Sequence, residues 1–194
     1  MYTNSAYLHQ SRVDFKDKKH SLFVGSCGTY RLYTVKKLPT HRPRGRVDYQ
    51  LLYIASGKAH FYFNGKEQIV SAGNMVLYRP KEEQRYYYYG VEHPEVYWVH
   101  FTGNNVKNIL RKYGIADDVH VICSGISMEY KQLYQNMIQE LQLKQEDYEE
   151  LLVNYLRQLF ILIHRQLLTK PRKKNPMIMD DMAQAVEYFR AHYN

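Results

Sequence analysis

The sequence has little cysteine, no long hydrophobic run and no secretory leader. Two cysteines, Cys27 and Cys123, are too few for a disulfide framework or a metal knuckle, and such sparse usage is typical of a reducing cytoplasm. The most apolar stretch, residues 151–163, is interrupted by Asn154 and Arg157 and is shorter than the ~20 residues that span a bilayer. The polar N-terminus lacks the apolar segment of a signal peptide. We therefore expect a cytoplasmic protein with no membrane partner.

Sequence motifs of catalysis and metal binding are also missing. No His-x-His pair occurs in the strand region, and the cysteines have no histidine beside them in sequence. No serine sits in a glycine-flanked elbow, and no glycine-rich phosphate loop is present. A metal site needs several donors that converge on one point, so we expect no metal and no cofactor. An enzyme is the weaker of the functional classes.

Charge and tyrosine are abundant. The net charge is +8, with 27 Lys and Arg against 19 Asp and Glu, and a positive balance alone is compatible with nucleic acid, an acidic ligand or solubility. The basic stretches at residues 16–19, 42–46 and 170–174 do not alternate with aromatics as a base-stacking motif would, so they are most simply solvated surface. Twenty tyrosines favour half-buried strands.

Short strand-like runs dominate the first two thirds of the chain. Asn64-Gly65 lies between two of them, and Asn-Gly is a strong hairpin signal because both residues must adopt positive φ. Pro80 ends another run because proline cannot donate to a ladder. Strands at this spacing predict a sandwich or barrel. The predicted strands are residues 30–35, 48–54, 58–63, 66–70, 75–79, 85–89, 95–101 and 119–122.

After residue 124 the apolar period becomes that of a helix. We predict helices at residues 128–143 and 146–168. The second is apolar over too wide an arc for one core-facing stripe, so we expect it to pack on its own barrel and on a second copy in a homodimer. A helix wrapped entirely by its own chain is the alternative. Residues 170–176 form a basic, proline-containing linker, and residues 182–193 begin a helix of another domain.

The strand region is expected to enclose an aromatic and basic interior. Consecutive strand residues face opposite sides, so only two of the four tyrosines at 86–89 can point inward. One aromatic face with a few polar anchors is the usual design of a small-ligand pocket. The interior is predicted to contain Arg42, Tyr49, Tyr53, Tyr78, two of Tyr86 to Tyr89, Tyr97 and Trp98.

From about Thr29 onward, the ordered set of features resembles the AraC family of bacterial transcriptional activators. The set comprises the Arg42-Pro43 loop, the hairpin turns, residues 72–80 and 95–101, and the leucine-rich helix. The resemblance implies an α+β fold: a cupin-like double-stranded β-helix, or jelly-roll barrel, followed by a helical dimerisation element. It also implies a sugar-like small-molecule effector in the barrel.

The resemblance further implies roles for particular residues. It places the sugar-binding arginine of the arabinose-responsive member on Arg42, the pocket tyrosine on Tyr86 and the sugar-stacking tryptophan on Trp98. The pocket histidine falls on Val96, a departure that argues against arabinose itself. Candidate dimer contacts are Leu151, Leu152, Leu159 and Leu162.

The resulting hypothesis is the effector-sensing and dimerisation domain of an AraC-type regulator. It divides the chain into an N-terminal arm (1–28), a ligand-binding barrel (29–123), a helical dimerisation region (124–169), and a linker with the first helix of a truncated helix-turn-helix domain (170–194). In this hypothesis DNA is bound only through the missing C-terminal domain. The alternatives are a cupin-type sugar-modifying metalloenzyme and a ligand-independent dimerisation module.

Overall fold

The computed structural model describes residues 1–8 and 15–169. Ten strands, three α-helices and a 3₁₀ turn at Gly90–Glu92 account for most of this part of the chain. The strands are β1 (Tyr2–Tyr7), β2 (Phe23–Arg31), β3 (Lys37–Arg42), β4 (Tyr49–Ser56), β5 (Lys58–Phe63), β6 (Lys66–Ser71), β7 (Asn74–Tyr78), β8 (Gln84–Tyr89), β9 (Glu95–Thr102) and β10 (Val121–Cys123). The helices are α1 (Val106–Lys112), α2 (Met128–Leu143) and α3 (Tyr148–Leu168).

The strands form two sheets with antiparallel pairing. The larger sheet has the order β1-β2-β9-β4-β7-β10, and the smaller has the order β3-β8-β5-β6. Inward-facing apolar residues of the two sheets form one core cluster, which includes Leu52, Phe61 and Tyr88. Helices α2 and α3 cover the opposite face of the larger sheet. The predicted α+β class, a cupin-like barrel followed by helices, is confirmed.

Local signals account for the hairpin and for the start of α2. Asn64 and Gly65 have φ of 51° and 75°, as the turn between β5 and β6 requires. Ser127 caps α2 by accepting a hydrogen bond from the backbone N–H of Glu129 at 3.1 Å. These bounds agree closely with the predicted hairpin and helix.

Within the predicted N-terminal arm, residues 2–7 form β1, an edge strand of the larger sheet. β1 pairs with β2 throughout its length, from Tyr2 opposite Arg31 to Tyr7 opposite Ser26. The boundary placed at residue 28 therefore falls inside β2. Most of β2 was not predicted from the sequence because Gly25, Ser26 and Gly28 interrupt its apolar pattern. Residues 170–194, which contain the predicted linker and last helix, lie outside the described residues.

Helix α3 buries one face against its own barrel. Leu152 and Leu159 are 1% and 0% exposed in the helix-facing core, so neither offers surface to a second copy. Leu151 is 39% exposed, and Leu162 is partly buried at the edge of that core. Leu152 and Leu159 are therefore unsuitable as dimer contacts, because the inward stripe of α3 is occupied within its own chain, and contact of Leu151 and Leu162 with a second copy stays a prediction.

The packing of α3 on the larger sheet predicts how a substitution at Phe160 changes the free energy of unfolding. Phe160 is fully buried between Phe101 and Tyr113, with ring centroids 5.6 and 6.0 Å away. Replacing Phe160 by Ala removes this packing and leaves a cavity, and we expect the free energy of unfolding to fall by about 3–5 kcal/mol. The matched control is Ile161→Ala on the exposed side, expected to cost less than ~1 kcal/mol. Urea unfolding followed by circular dichroism measures both, and equal losses would contradict this packing.

Candidate functional site

A cavity of about 480 Å³ opens between the two sheets and is partly covered by β1. We call it the barrel cavity. Its volume lies in the range of ~300–1,000 Å³ that is usual for small-molecule sites. The residues that line it are Met1, Thr3, Ser5, Tyr7, Thr29, Tyr30, Leu38, Thr40, Arg42, Arg46, Gln50, Tyr86, Trp98 and His100.

The three residues singled out by the sequence all line the barrel cavity. Arg42 ends β3, and Tyr86 lies on the neighbouring strand β8. Trp98 comes from the opposite sheet, on β9. Alternation along these strands directs Tyr86, and not Tyr87, to the inner side. Arg42, Tyr86 and Trp98 therefore belong to one site, and their contact with a ligand stays a prediction.

Trp98 fits because the residue opposite it has no side chain. Gly28 pairs with Trp98 across β2 and β9, and a Cβ added at Gly28 would lie 2.5 Å from Cζ2 of Trp98 and 2.9 Å from the Cβ of Ser5. The Tyr7 ring lies 6.0 Å from the Trp98 ring, in a tilted arrangement. A glycine is thus required for the tryptophan and β1 to approach each other this closely.

β1 contacts the barrel cavity on one face and helix α2 on the other. Thr3, Ser5 and Tyr7 line the cavity, whereas Asn4 accepts a hydrogen bond at its Oδ1 from Nε2 of Gln142 at 2.7 Å. Just beyond the strand, the carbonyl of Leu8 accepts one from the Lys144 ammonium at 2.7 Å. β1 is an edge strand held by β2 alone within its sheet, so these two bonds are part of what keeps it in place.

Charged and polar groups surround the cavity. Arg46 forms a bidentate ion pair with Asp48 at 2.6 and 2.8 Å, which satisfies two donors of a buried guanidinium. The Nη1 of Arg42 donates to Oε1 of Gln84 at 2.8 Å. On β9, Nδ1 of His100 lies 2.7 Å from the hydroxyl of Ser26. Both walls of the cavity therefore contribute hydrogen-bonding groups.

Some of these buried polar atoms have no partner among the described residues. They include Oγ1 of Thr29, Oε1 of Gln50 and Nε2 of His100, all on cavity-lining residues, and Nε2 of Gln84, the amide that Arg42 contacts. Burying a polar atom without a hydrogen bond costs about 1–3 kcal/mol, so their grouping beside one cavity is typical of a site that binds a polar molecule.

His100 is neutral at pH 7. Burial lowers its pKa well below the ordinary value of 6.5, and the nearby positive charges of Arg46 and Arg42 lower that pKa further. A neutral imidazole offers one donor and one acceptor, so with Ser26 at Nδ1, the Nε2 atom can exchange a hydrogen bond with a ligand.

Comparison with protein-family models gives a match over residues 24–181, to the model described as the AraC-like ligand binding domain. The chain belongs to this family. No curated protein sequence matches it.

Several solved structures are similar to this AraC-like domain. An apo variant of ToxT from Vibrio cholerae has 16% sequence identity and a TM-score of 0.46, covering 76% of this chain and 55% of that chain. Unsaturated fatty acid-bound wild-type ToxT has 15% identity and a TM-score of 0.43, covering 76% and 54%. A cupin protein from Bacteroides fragilis has 16% identity and a TM-score of 0.33, covering 40% and 64%. The chain spans about half the length of the two ToxT chains.

Sequence reasoning missed several residues of the site in this AraC-like domain. Arg46 was assigned to solvated surface but is buried with Asp48. His100 lies two residues after Trp98 on the same strand and hence on the same face, a signal that was present in the sequence. Gln50 faces His100 across β4 and β9, a pairing that depends on long-range register. Val96 is buried in the core between the sheets and does not line the cavity.

Three tyrosines predicted for the interior face the other way. Tyr49, Tyr53 and Tyr97 belong to, or pack against, the core between the larger sheet and the helices. Their positions alternate with Leu52 and Trp98, which face the barrel. The prediction was wrong for these residues because the parity of a strand buried on both faces cannot be seen in its composition.

Among residues 1–8 and 15–169, no group of three or more His, Cys, Asp or Glu side chains is arranged to hold a metal ion. In the same part of the chain, no helix combines the length and apolarity needed to cross a membrane.

The depressed pKa of His100 predicts a pH dependence of stability. Below pH 6.5 the unfolded chain takes up a proton at this histidine that the folded chain does not, so stability falls with decreasing pH by at most ~1.4 kcal/mol per pH unit. Above that pH this contribution is fully present. Urea unfolding of the wild type and of His100→Gln between pH 7.5 and 5 should show a difference in stability that changes with pH. A difference that is constant over this range would show that His100 titrates normally in the folded state.

Proposed function

We propose that this chain is the effector-sensing and dimerisation domain of an AraC-type DNA-binding transcriptional regulator. The observation that carries the proposal is the barrel cavity, where Arg42, Tyr86 and Trp98 meet beside buried polar atoms that lack partners. Its effector is a sugar or a related small metabolite. In the full regulator, DNA is bound in the cytoplasm through a C-terminal domain that follows the linker.

Each of the three residues suits a different part of such a molecule. The guanidinium of Arg42 presents a fork of donors to hydroxyl or carboxylate oxygens. The hydroxyl of Tyr86 lies 3.5 Å from Nε2 of Gln50 and can exchange a hydrogen bond with a ligand. The indole of Trp98, only 8% exposed, offers an apolar face to the C–H surface of a sugar ring.

β1 provides a physical route from the cavity to the helices. A ligand against Trp98 also meets Ser5 and Tyr7, which line the same space. The opposite face of β1 is hydrogen-bonded to Gln142 at the end of α2. A ligand that favours or disfavours the docked strand thus changes the surface beside α2, and with it the way a dimer presents its DNA-binding domains.

The ligand proposal is tested by thermal unfolding against sugars, sugar acids and other small metabolites. A ligand at about 100 times its dissociation constant adds ~2.7 kcal/mol of stability, or about 5–10 °C in Tm for a chain of this size. We expect the shift to be lost in Arg42→Ala and in Trp98→Ala. The control is Tyr62→Ala, an aromatic on β5 that does not line the barrel cavity.

The outcomes separate the hypotheses. A Tm shift that survives in both cavity variants would place the ligand elsewhere. No shift with any compound, together with a dimer in sedimentation, would favour the ligand-independent dimerisation module over the sensing domain.

If the outer face of α3 forms the dimer interface, charged residues placed on that face should weaken dimer association. Leu151 and Leu162 lie on that side with Tyr155, which is partly buried. The double variant Leu151→Asp, Leu162→Asp places charges where apolar area would be covered, and we expect dimer association at least ~100-fold weaker. Sedimentation equilibrium measures it, with Val91→Asp, 80% exposed on the 3₁₀ turn, as the control. An unchanged dimer would remove α3 from the interface.

A further inference from the structure

The barrel cavity has a positive charge that the described chain does not balance. None of the described residues that line it is an aspartate or glutamate, while two of them, Arg42 and Arg46, are arginines. Arg46 is neutralised by the bidentate pair with Asp48. Arg42 forms no ion pair within the part of the chain that the structure describes, and its Nη1 donates to a neutral amide, that of Gln84. Among residues 1–8 and 15–169, the guanidinium of Arg42 in the cavity therefore has no carboxylate counter-ion.

The other titratable groups of the cavity leave this charge in place. The nearby carboxylate of Glu83 is engaged by His41, at 3.0 Å on the exposed side of the small sheet. Burial raises the pKa of Tyr30 well above 10, so its phenol is neutral at pH 7. The His100 imidazole is neutral as well, and the two arginines contribute to the lowering of its pKa.

The environment of Arg42 makes a bound anion favourable. The guanidinium is partly buried at the end of β3, where a charge interacts more strongly with a counter-ion than it would in water. A planar guanidinium presents parallel donors that match the two oxygens of a carboxylate. The neighbouring Nε2 of Gln84 is also a donor without an acceptor among the described residues.

The far side of the cavity is aromatic. Trp98 and Tyr7 have ring centroids 6.0 Å apart, and Tyr30 contacts Tyr88 edge-on at 5.2 Å. Such rings bind apolar faces and C–H groups and supply no second site for a negative charge. The cavity is thus cationic at Arg42 and apolar at Trp98.

We infer that the effector is a monocarboxylate, whose carboxylate pairs with Arg42 while its ring or carbon chain lies against Trp98. The inference rests on the proposed sensing function and narrows its ligand class from sugars in general to acids. A sugar acid and a simple aromatic or aliphatic acid share this chemistry, and the unpartnered Oε1 of Gln50 and Nε2 of His100 favour the hydroxylated acid.

The test uses the fluorescence of Trp98, the only tryptophan of the chain, as a direct report of binding in the cavity. Titrations compare compounds that differ only at the acid group: glucuronate with glucose, galacturonate with galactose, and benzoate with benzyl alcohol. We expect the acid of at least one pair to bind 10-fold or more tightly than its neutral counterpart. A preference within the sugar pairs identifies a sugar acid, and one within the benzoate pair alone identifies a simple acid.

The variants assign the preference to Arg42. In Arg42→Gln the ratio of acid to neutral affinity should fall close to one, and in Arg42→Lys it should fall only partly, because the charge remains without the fork. Arg85→Gln removes the same charge from the outer face of the neighbouring strand β8, where the guanidinium lies over the Tyr62 ring, and should leave the ratio unchanged. Thermal unfolding without ligand checks that each variant folds. If Arg42→Gln does not fold, the wild-type and Arg42→Lys ratios decide the question.

The possible failures are distinguishable. Neutral sugars that bind as tightly as their acids would overturn the inference and leave the sensing function standing. An acid preference that Arg42→Gln retains would move the carboxylate away from this residue and overturn it equally. If neither acids nor neutral compounds alter the fluorescence of Trp98 or the Tm, both the inference and the proposed sensing function fail for these ligand classes.

Discussion

Burial of β4 and β9 on both faces is the constraint on which the rest of the molecule depends. The two strands pair with each other from Tyr49 opposite Phe101 to Ser56 opposite Glu95. On β9, Tyr97, Val99 and Phe101 face the helices, while Val96 and Trp98 face the barrel. One stretch of backbone thus builds two cores at once, and the position of Trp98 in the cavity is tied to the packing of α2 and α3 behind it.

This arrangement explains how a small barrel can keep a polar cavity. The helix-facing core supplies most of the large buried apolar residues, so the barrel interior need not be filled with apolar side chains alone. The interior accommodates Arg46, Asp48, Gln50 and His100 in buried positions. Buried polar groups with incomplete hydrogen bonding reduce stability, and apolar burial elsewhere offsets that cost.

The elements with strong local signals could be predicted from the sequence. The hairpin of β5 and β6 and helix α2 lie where turn chemistry and apolar period placed them, because Asn64-Gly65 and the 3.6-residue spacing act over a few residues. The strand predicted at residues 30–35 was wrong in its bounds, since β2 ends at Arg31 and β3 begins at Lys37. Helix α1 was not predicted because it is short.

The candidate site could be predicted only in part, because several of its residues are brought together by contacts between strands that are distant in sequence. Arg42, Tyr86 and Trp98 came from the resemblance to a family, and the structure brings them to one cavity. The burial of Arg46 and the pairing of Gln50 with His100 depend on contacts between strands distant in sequence. The direction of the side chains on β4 depends on register, which composition does not contain.

Alternation along β1 also limits how the N-terminal strand can move. Ser5 and Tyr7 face the cavity while Asn4 faces α2, so a shift of one residue along β2 would exchange the two sets completely. A shift of two would restore the facing but would bring another residue opposite Gly28, the one position where Ser5 and Trp98 approach so closely. Gradual sliding along β2 is therefore closed to this strand, and the observed register is the one that satisfies both of its faces and the close approach at Gly28.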